Sequence, residues 1–309
     1  MTEPIKLVTR TLTGTTDGPH LLILGGVHGD EFESMAAIRR LIRELDTDKL
    51  CGQVTVVPVV NEAAYWHGQR CAEDGLDLAR TCPGRPDGSV TERVAVAVSK
   101  LIGSVDYLID LHSGGLVMRM GPMAGYVLHS DPAVLEVQRR MCRAFNMPLI
   151  WGTAANLDGR TLSVARDANV PAIYAEWLGA GECDPAGVEA YFEGCLNVMG
   201  ELEMIKHSAP PSVVEFLVED DRTGSGHVQL HYPAPFGGFF EPAVELRQVV
   251  EVGQPLGQVC DHLGDRSETI VSQEHGVVIC LRALNRVLEG DSVVAIMELL
   301  PGQESNLDN

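Results

Sequence analysis

The sequence predicts an α/β fold, a sheet layered with helices, followed by a smaller all-β part. Three observations predict it. Short apolar runs closed by glycine alternate with amphipathic stretches as far as Lys206, the pattern of strands and helices in layers. After Pro210-Pro211 the helical spacing stops, and short β-rich runs separated by glycine turns continue to Leu300. The 309 residues, 45% of them hydrophobic, suffice for one large core or two domains. We divide the chain at 1–208, 209–302 and a tail, 303–309.

Leu21–Gly25 (LLILG) reads as a buried strand ending in a tight turn. Glu33–Leu45 follows with Met35, Ile38, Leu41 and Ile42 at helical spacing. Val54–Val60 is a second buried strand, with Pro58 at its end or on an edge. Asn61–Gly88 is polar and rich in Gly, Pro and Arg, so a long functional loop is expected there. Thr91–Ile102 reads as a helix and Val105–Leu111 (VDYLIDL) as a third strand. Pro132–Phe145 and Thr161–Ala168 are further helices, Ala172–Ala175 a short strand reaching Glu176, and Pro185–Lys206 a last helix. Beyond it lie VVEFLV, HVQLHY, GGFF, VVEVGQPLGQV, HGVVICL and GDSVVAIMEL. Val250–Val259 and Leu288–Leu299 resemble each other, a weak internal repeat.

The formal net charge is −20. Such a surface repels phosphate backbones and anionic lipid, so neither nucleic acid nor membrane is an expected partner. No apolar run has the roughly 18 residues of a spanning helix, and Met1–Arg10 lacks the apolar core of a signal peptide. Eight scattered cysteines without a C-x-x-C pair fit a reduced, cytoplasmic protein.

Gly-Gly-Val-His28-Gly-Asp-Glu31 carries the most chemistry. An H-x-x-E pair at the mouth of a buried strand puts imidazole and carboxylate about one turn apart. The glycines allow the sharp turn before them. Two histidines and a glutamate are a catalytic zinc set. His112, after VDYLIDL and before Ser113-Gly114-Gly115, is the candidate third ligand. Three protein ligands leave a position for water, which the ion acidifies. On residues alone, H-x-x-E also arises by chance. A solvated strand-end carboxylate is the alternative for Glu176, and a surface ion pair for Arg80. Arg166, ten residues before Glu176, is a second candidate anion-binding group, with an exposed helix face as its alternative. His227 and His231, four apart in an expected strand, would share a face; an accessory metal there is the less favoured reading.

GGVHGDE, the stretch Asp77-Leu78-Ala79-Arg80-Thr81-Cys82-Pro83-Gly84, DLHSGG and IYAE occur in that order. In this the chain resembles the succinylglutamate desuccinylase/aspartoacylase family, a branch of the zinc carboxypeptidase clan. The resemblance covers nearly the whole chain. It implies a zinc-carboxypeptidase-like mixed sheet flanked by helices and one Zn2+ per chain. His28, Glu31 and His112 then correspond to the zinc ligands, and Glu176 to the general acid/base. Arg70 corresponds to the arginine that polarises the scissile carbonyl. Arg80 corresponds to the arginine that pairs with the substrate carboxylate, and Asp77 belongs to the same substrate-binding stretch. The implied reaction is hydrolysis of the amide of a small N-acyl amino acid or related amine. A carboxypeptidase acting on short peptides is the alternative, and a non-catalytic zinc protein that binds ligands or partners is another of a different class.

The chain departs from the family at Ala79, usually Asn, at Cys82, commonly Phe, and at Glu62, usually Pro. Loss of the amide removes a directional hydrogen bond worth on the order of 1 kcal/mol, so the acyl or amino-acid part is expected to differ from N-acetylaspartate and N-succinylglutamate. The β-rich part resembles biotinyl and lipoyl barrel-sandwich carriers. No lysine follows Lys206, which excludes a covalent swinging arm and leaves a shielding or oligomerising role.

Overall fold

A computed structural model of the protein describes residues 5–228 and 231–300. The expected tail, 303–309, lies outside them. The first strands are β1 (Arg10–Thr13), β2 (Thr16–Leu24) and β3 (Cys51–Val57), with helix α1 (Phe32–Glu44) between the last two. After α2 (Glu62–His67) and α3 (Val90–Ile102) come β4 (Tyr107–Ser113), β5 (Met118–Val127), α4 (Pro132–Phe145) and β6 (Leu149–Thr153). The layered part continues through α5 (Thr161–Asp167), β7 (Ala172–Gly179), α6 (Pro185–Glu201) and β8 (Phe216–Asp220). Local chemistry explains several of these boundaries. Asp131 and Asp184 cap the helices that begin at Pro132 and Pro185, and Ser89 forms a reciprocal capping box with Glu92 before α3.

The main sheet runs β1-β3-β2-β4-β7-β5, parallel from β3 to β7 and antiparallel at both outer pairs. The second half of β2, β3 and β4 are buried on both faces, which is why their apolar runs are continuous. Leu21, Ile23, Ile109, Leu111, Ile173 and Ala175 face α1, α4 and α6. Leu22, Leu24, Leu108 and Ala172 face α3 and α5. Strand side chains alternate, so Asp110, His112, Tyr174 and Glu176 all project to the α3–α5 side.

The other side of β5 is shared. Its residues Met123–Val127 pair with β6, which in turn pairs with β8. Its residues Met118–Met120 pair instead with β13 (Gly276–Arg282). Through β13 the sheet also takes up β10 (Val249–Val250) and β15 (Val294–Glu298). A second antiparallel sheet has the order β12 (Ser267–Val271), β11 (Pro255–Cys260), β9 (Gly238–Pro242) and β14 (Arg286–Val287). Strand β10 pairs with β13 of the main sheet, whereas β14 pairs with β9 of the second.

Several expectations need correction. Asn61–Gly88 is not all loop, because α2 and a 3-10 turn at Leu78–Arg80 lie in it. Pro58 lies at the end of β3, one of the two places expected for it, and the edge alternative fails because β3 is an interior strand. VVEFLV supplies β8, which pairs with β6 rather than with the C-terminal strands. His227, Val228, His231 and Tyr232 are not in a strand, and residues 229 and 230 lie outside those described. Strands β1, β5 and β6 were not expected from the sequence. Among the described residues no helix is long and apolar enough to cross a membrane.

Candidate active site

His28 and Glu31 sit on the turn from β2 into α1. Gly26 takes a left-handed φ of 60° there, as the turn requires. Gly29 lets that turn lie against α2, since a Cβ would fall 2.1 Å from the Ala64 carbonyl carbon. Asp30 ties the turn to the Ser113–Gly115 loop by accepting the Leu116 N–H at 2.9 Å. His112 lies near the end of β4, level with Glu176 on β7.

These elements bring His28, Glu31 and His112 together. Each offers a ligand atom within 4.8 Å of the others, all three are buried, and no other such His/Cys/Asp/Glu group occurs among the described residues. His28 Nδ1 is 2.6 Å from Glu31 Oε1 and His112 Nδ1 is 2.9 Å from Oε2. The far nitrogens face other carboxylates: His28 Nε2 is 3.1 Å from Asp77 Oδ1, and His112 Nε2 is 3.1 Å from Asp110 Oδ2. Burial opposes ionisation of Glu31, but His28 and His112 hold its carboxyl below the usual range. Burial likewise opposes protonation of His112, yet Asp110 and Glu31 raise its pKa well above the ordinary value. A divalent cation fits these residues. Both Nδ1 atoms and a carboxylate would be its ligands, and each Nε2 has a carboxylate beside it that would orient the ring.

Glu176 lines the same cavity, of about 140 Å³. Its Oε2 is shielded from solvent and has no hydrogen-bond partner. Burial, opposed by His112 and reinforced by Glu31, pushes its carboxyl up to about 8. Arg70 is forked on Asp77 through Nε at 3.2 Å and Nη2 at 3.0 Å, while its Nη1 stands 3.7 Å from Glu31 Oε1.

Of the residues singled out from the sequence, His28, Glu31, His112, Glu176, Arg70 and Arg80 all line the cavity. Asp77 works behind it, holding His28, Arg70 and the Ala79 N–H. Arg166 is not in the lining; its guanidinium pairs with Asp158 and Asp167 and bonds the Ala155 carbonyl. Arg160, which the sequence did not single out, is in the lining instead. It lines the cavity at the start of α5, donates to the Gly226 carbonyl at 3.3 Å, and its buried Nε has no partner. Burial and then the charge of Arg80 lower its pKa to about 10. No local sequence signal marks Arg160. Ala79 lies in the lining, where the family's Asn would reach the cavity, whereas Cys82 is buried against the Leu78 carbonyl, its thiol pushed up to about 12 by burial. Glu62 opens α2.

Comparison with known proteins agrees with this geometry. Residues 17–202 match the model of the Succinylglutamate desuccinylase/Aspartoacylase catalytic domain. The chain is 29% identical over 304 residues to the N-alpha-acetyl-L-2,4-diaminobutyric acid deacetylase of Halomonas elongata, covering 95% of this chain and 86% of that protein. An aspartoacylase family protein from Mesorhizobium loti superposes with a TM-score of 0.79 at 28% identity, covering 94% of this chain and 88% of that one. A succinylglutamate desuccinylase/aspartoacylase from Rhodobacter sphaeroides shares the fold, with a TM-score of 0.84 at 24% identity over 95% of this chain and 89% of that one. The match of that catalytic-domain model to residues 17–202, well over half of the chain, makes this chain a member of the succinylglutamate desuccinylase/aspartoacylase family.

Proposed function

We propose that the protein is a zinc-dependent amidohydrolase that removes the acyl group from a small N-acyl amino acid. The observation that carries this reading is the orphaned, buried Oε2 of Glu176 in the cavity where His28, Glu31 and His112 converge. The family and the deacetylase activity named for the Halomonas relative support it. Two imidazoles and a carboxylate suit zinc. Bound there, the ion would acidify a water molecule and polarise the acyl carbonyl.

The chain's own residues do the rest. Arg80 and Arg160 take the substrate carboxylate, a task suited to planar guanidinium groups. Arg70, fixed by Asp77, presents Nη1 to the carbonyl oxygen as negative charge develops on it. Glu176 takes a proton from the attacking water and returns it to the departing nitrogen, which leaves poorly unless protonated. Asp77 and Asp110 keep the imidazoles oriented. We read the β-rich part as a barrel-sandwich module without a carrier lysine, a reading supported by the pairing of β10 and β14 into different sheets.

The deacetylase activity named for the Halomonas relative favours this reading over the carboxypeptidase alternative. The test is an amine-release screen over N-acyl amino acids alongside peptides of increasing length. Release from N-acyl amino acids, falling as peptides lengthen, is the expected outcome. Preference for longer peptides would move the assignment to a carboxypeptidase.

A further inference from the structure

The cavity has two chemically distinct sides. Arg70 stands beside Glu31 of the His28–Glu31–His112 cluster, and Arg80 and Arg160, the latter bonded to the Gly226 carbonyl, also line the cavity. Its remaining wall includes Met118, Met120, Met123, Trp151, Val228 and Cys280. Strand alternation explains the wall. Met123 on β5 stands level with Glu176 on β7, and Trp151 on β6 stands level with Gly125 on β5. Gly125 carries no side chain, and the space a Cβ would fill is taken by the Tyr174 ring at 2.4 Å. Cys280 arrives from the C-terminal region, opposite Met120. Burial pushes its thiol pKa well up, so it stays a neutral, apolar surface.

The distribution of charge is as informative. Among the described lining residues the carboxylates are Glu31 and Glu176, and the proposed chemistry occupies both. No anion therefore remains for a second ammonium group on the substrate, and the guanidinium groups would repel one. Within that wall Trp151 contributes a buried indole N–H without a partner, a donor that has nothing to offer an ammonium. Placing an unpaired charge against such a wall is costly. A second carboxylate would meet thioether and aromatic surface once Arg80 and Arg160 hold the first.

We infer that the substrate is an N-acyl amino acid bearing an uncharged apolar substituent, seated on the wall formed by Met120, Met123, Trp151 and Cys280. The inference rests on the amidohydrolase reading for the N-acyl amino acid part, and on the cavity wall for the apolar part. It separates this chain from the activity named for its Halomonas relative, whose substrate carries an amino group on its side chain. Apolar chemistry could enter from either end of the substrate, on the acyl chain or on the amino-acid side chain.

The experiment measures binding by calorimetry to the Glu176→Gln protein, which holds substrates without turning them over. The ligands are N-acetyl-L-norleucine, N-hexanoylglycine, N-acetylglycine, N-acetyl-L-aspartate and Nα-acetyl-L-2,4-diaminobutyrate. Each buried methylene tightens binding roughly fourfold. One of the two apolar ligands should therefore bind at least about tenfold more tightly than N-acetylglycine and than both charged ligands. Norleucine leading places the apolar group on the side chain; hexanoylglycine leading places it on the acyl chain. Either charged ligand binding as tightly as the better apolar one overturns the inference, as does no gain over N-acetylglycine. Amine release by the wild-type protein is read on the same panel. Apolar preference in binding with no amine released would refute the amidohydrolase reading and leave the wall's preference standing.

Discussion

Each imidazole of the ligand cluster is held from behind by a carboxylate, His28 by Asp77 and His112 by Asp110. Asp110 is itself fixed by the Thr161 hydroxyl at the start of α5. Replacing Asp110 by Asn keeps the shape and removes the charge that orients His112. Such changes behind a ligand cost about 10- to 100-fold in metal affinity. Asp110→Asn should therefore lose zinc to a competing chelator at correspondingly lower chelator concentration while melting as a folded protein. Unchanged affinity would remove Asp110 from the account. At this scale the sequence was readable where chemistry is local. His28 and Glu31 lie three residues apart on one turn, and His112 and Glu176 each stand near the end of an apolar run. Arg160 was not readable, because it reaches the cavity through the tertiary placement of α5. Closeness in sequence to Glu176 favoured Arg166 instead, and the carboxylates of Asp158 and Asp167 hold that side chain elsewhere.

The turn between β2 and α1 and the short helix α2 form one unit, packed backbone to backbone at Gly29 and Ala64. A methyl group at Gly29 would sit 2.1 to 2.3 Å from the Ala64 carbonyl and the Tyr65 nitrogen. Backbone cannot yield as a flexible side chain can. Gly29→Ala should cost about 1–3 kcal/mol in denaturant unfolding and displace His28 beside it, weakening metal binding as well. A loss of neither would mean that the turn adapts freely. Helices with strong periodicity, α1, α3 and α4, the last two also capped, were legible to within a residue or two. Strand β5 was not. Its sequence MRMGPMAGYV contains Gly121, Pro122 and Gly125 and no strict alternation, because its pairing and burial come from three neighbouring strands rather than from propensity.

The C-terminal region is joined to the layered part by hydrogen bonds as well as by the chain. Strand β13 extends β5, and β8 extends β6. Met120, Met123, Leu149 and Trp151 share one apolar cluster with Val277, Ile279 and Met297. We proposed a division at 208 from the change in periodicity. That position falls before β8, which still belongs to the layered sheet, and the pairing of β13 with β5 joins the two sides of it. A chain ending at residue 208 would leave β5 and β6 without these partners and open the apolar cavity wall to water. It should aggregate or bind a hydrophobic dye strongly. A soluble truncated chain with an unchanged melting temperature would contradict the shared core. The mixed fold and its β-rich C-terminal part were legible from periodicity, whereas the sheet that unites them depends on long-range pairing that leaves no local trace.

The central claim is that His28, Glu31 and His112 hold a catalytic ion and that Glu176 moves the proton. The most direct test measures metal content and amine release together on the wild type, Glu176→Gln and His112→Ala. The account predicts about one zinc per chain in the wild type and in Glu176→Gln. It predicts a fall in turnover of about 10²- to 10⁴-fold in Glu176→Gln, and loss of both zinc and turnover in His112→Ala. Near-normal turnover in Glu176→Gln, or a wild type that takes up no zinc when it is supplied, would contradict it.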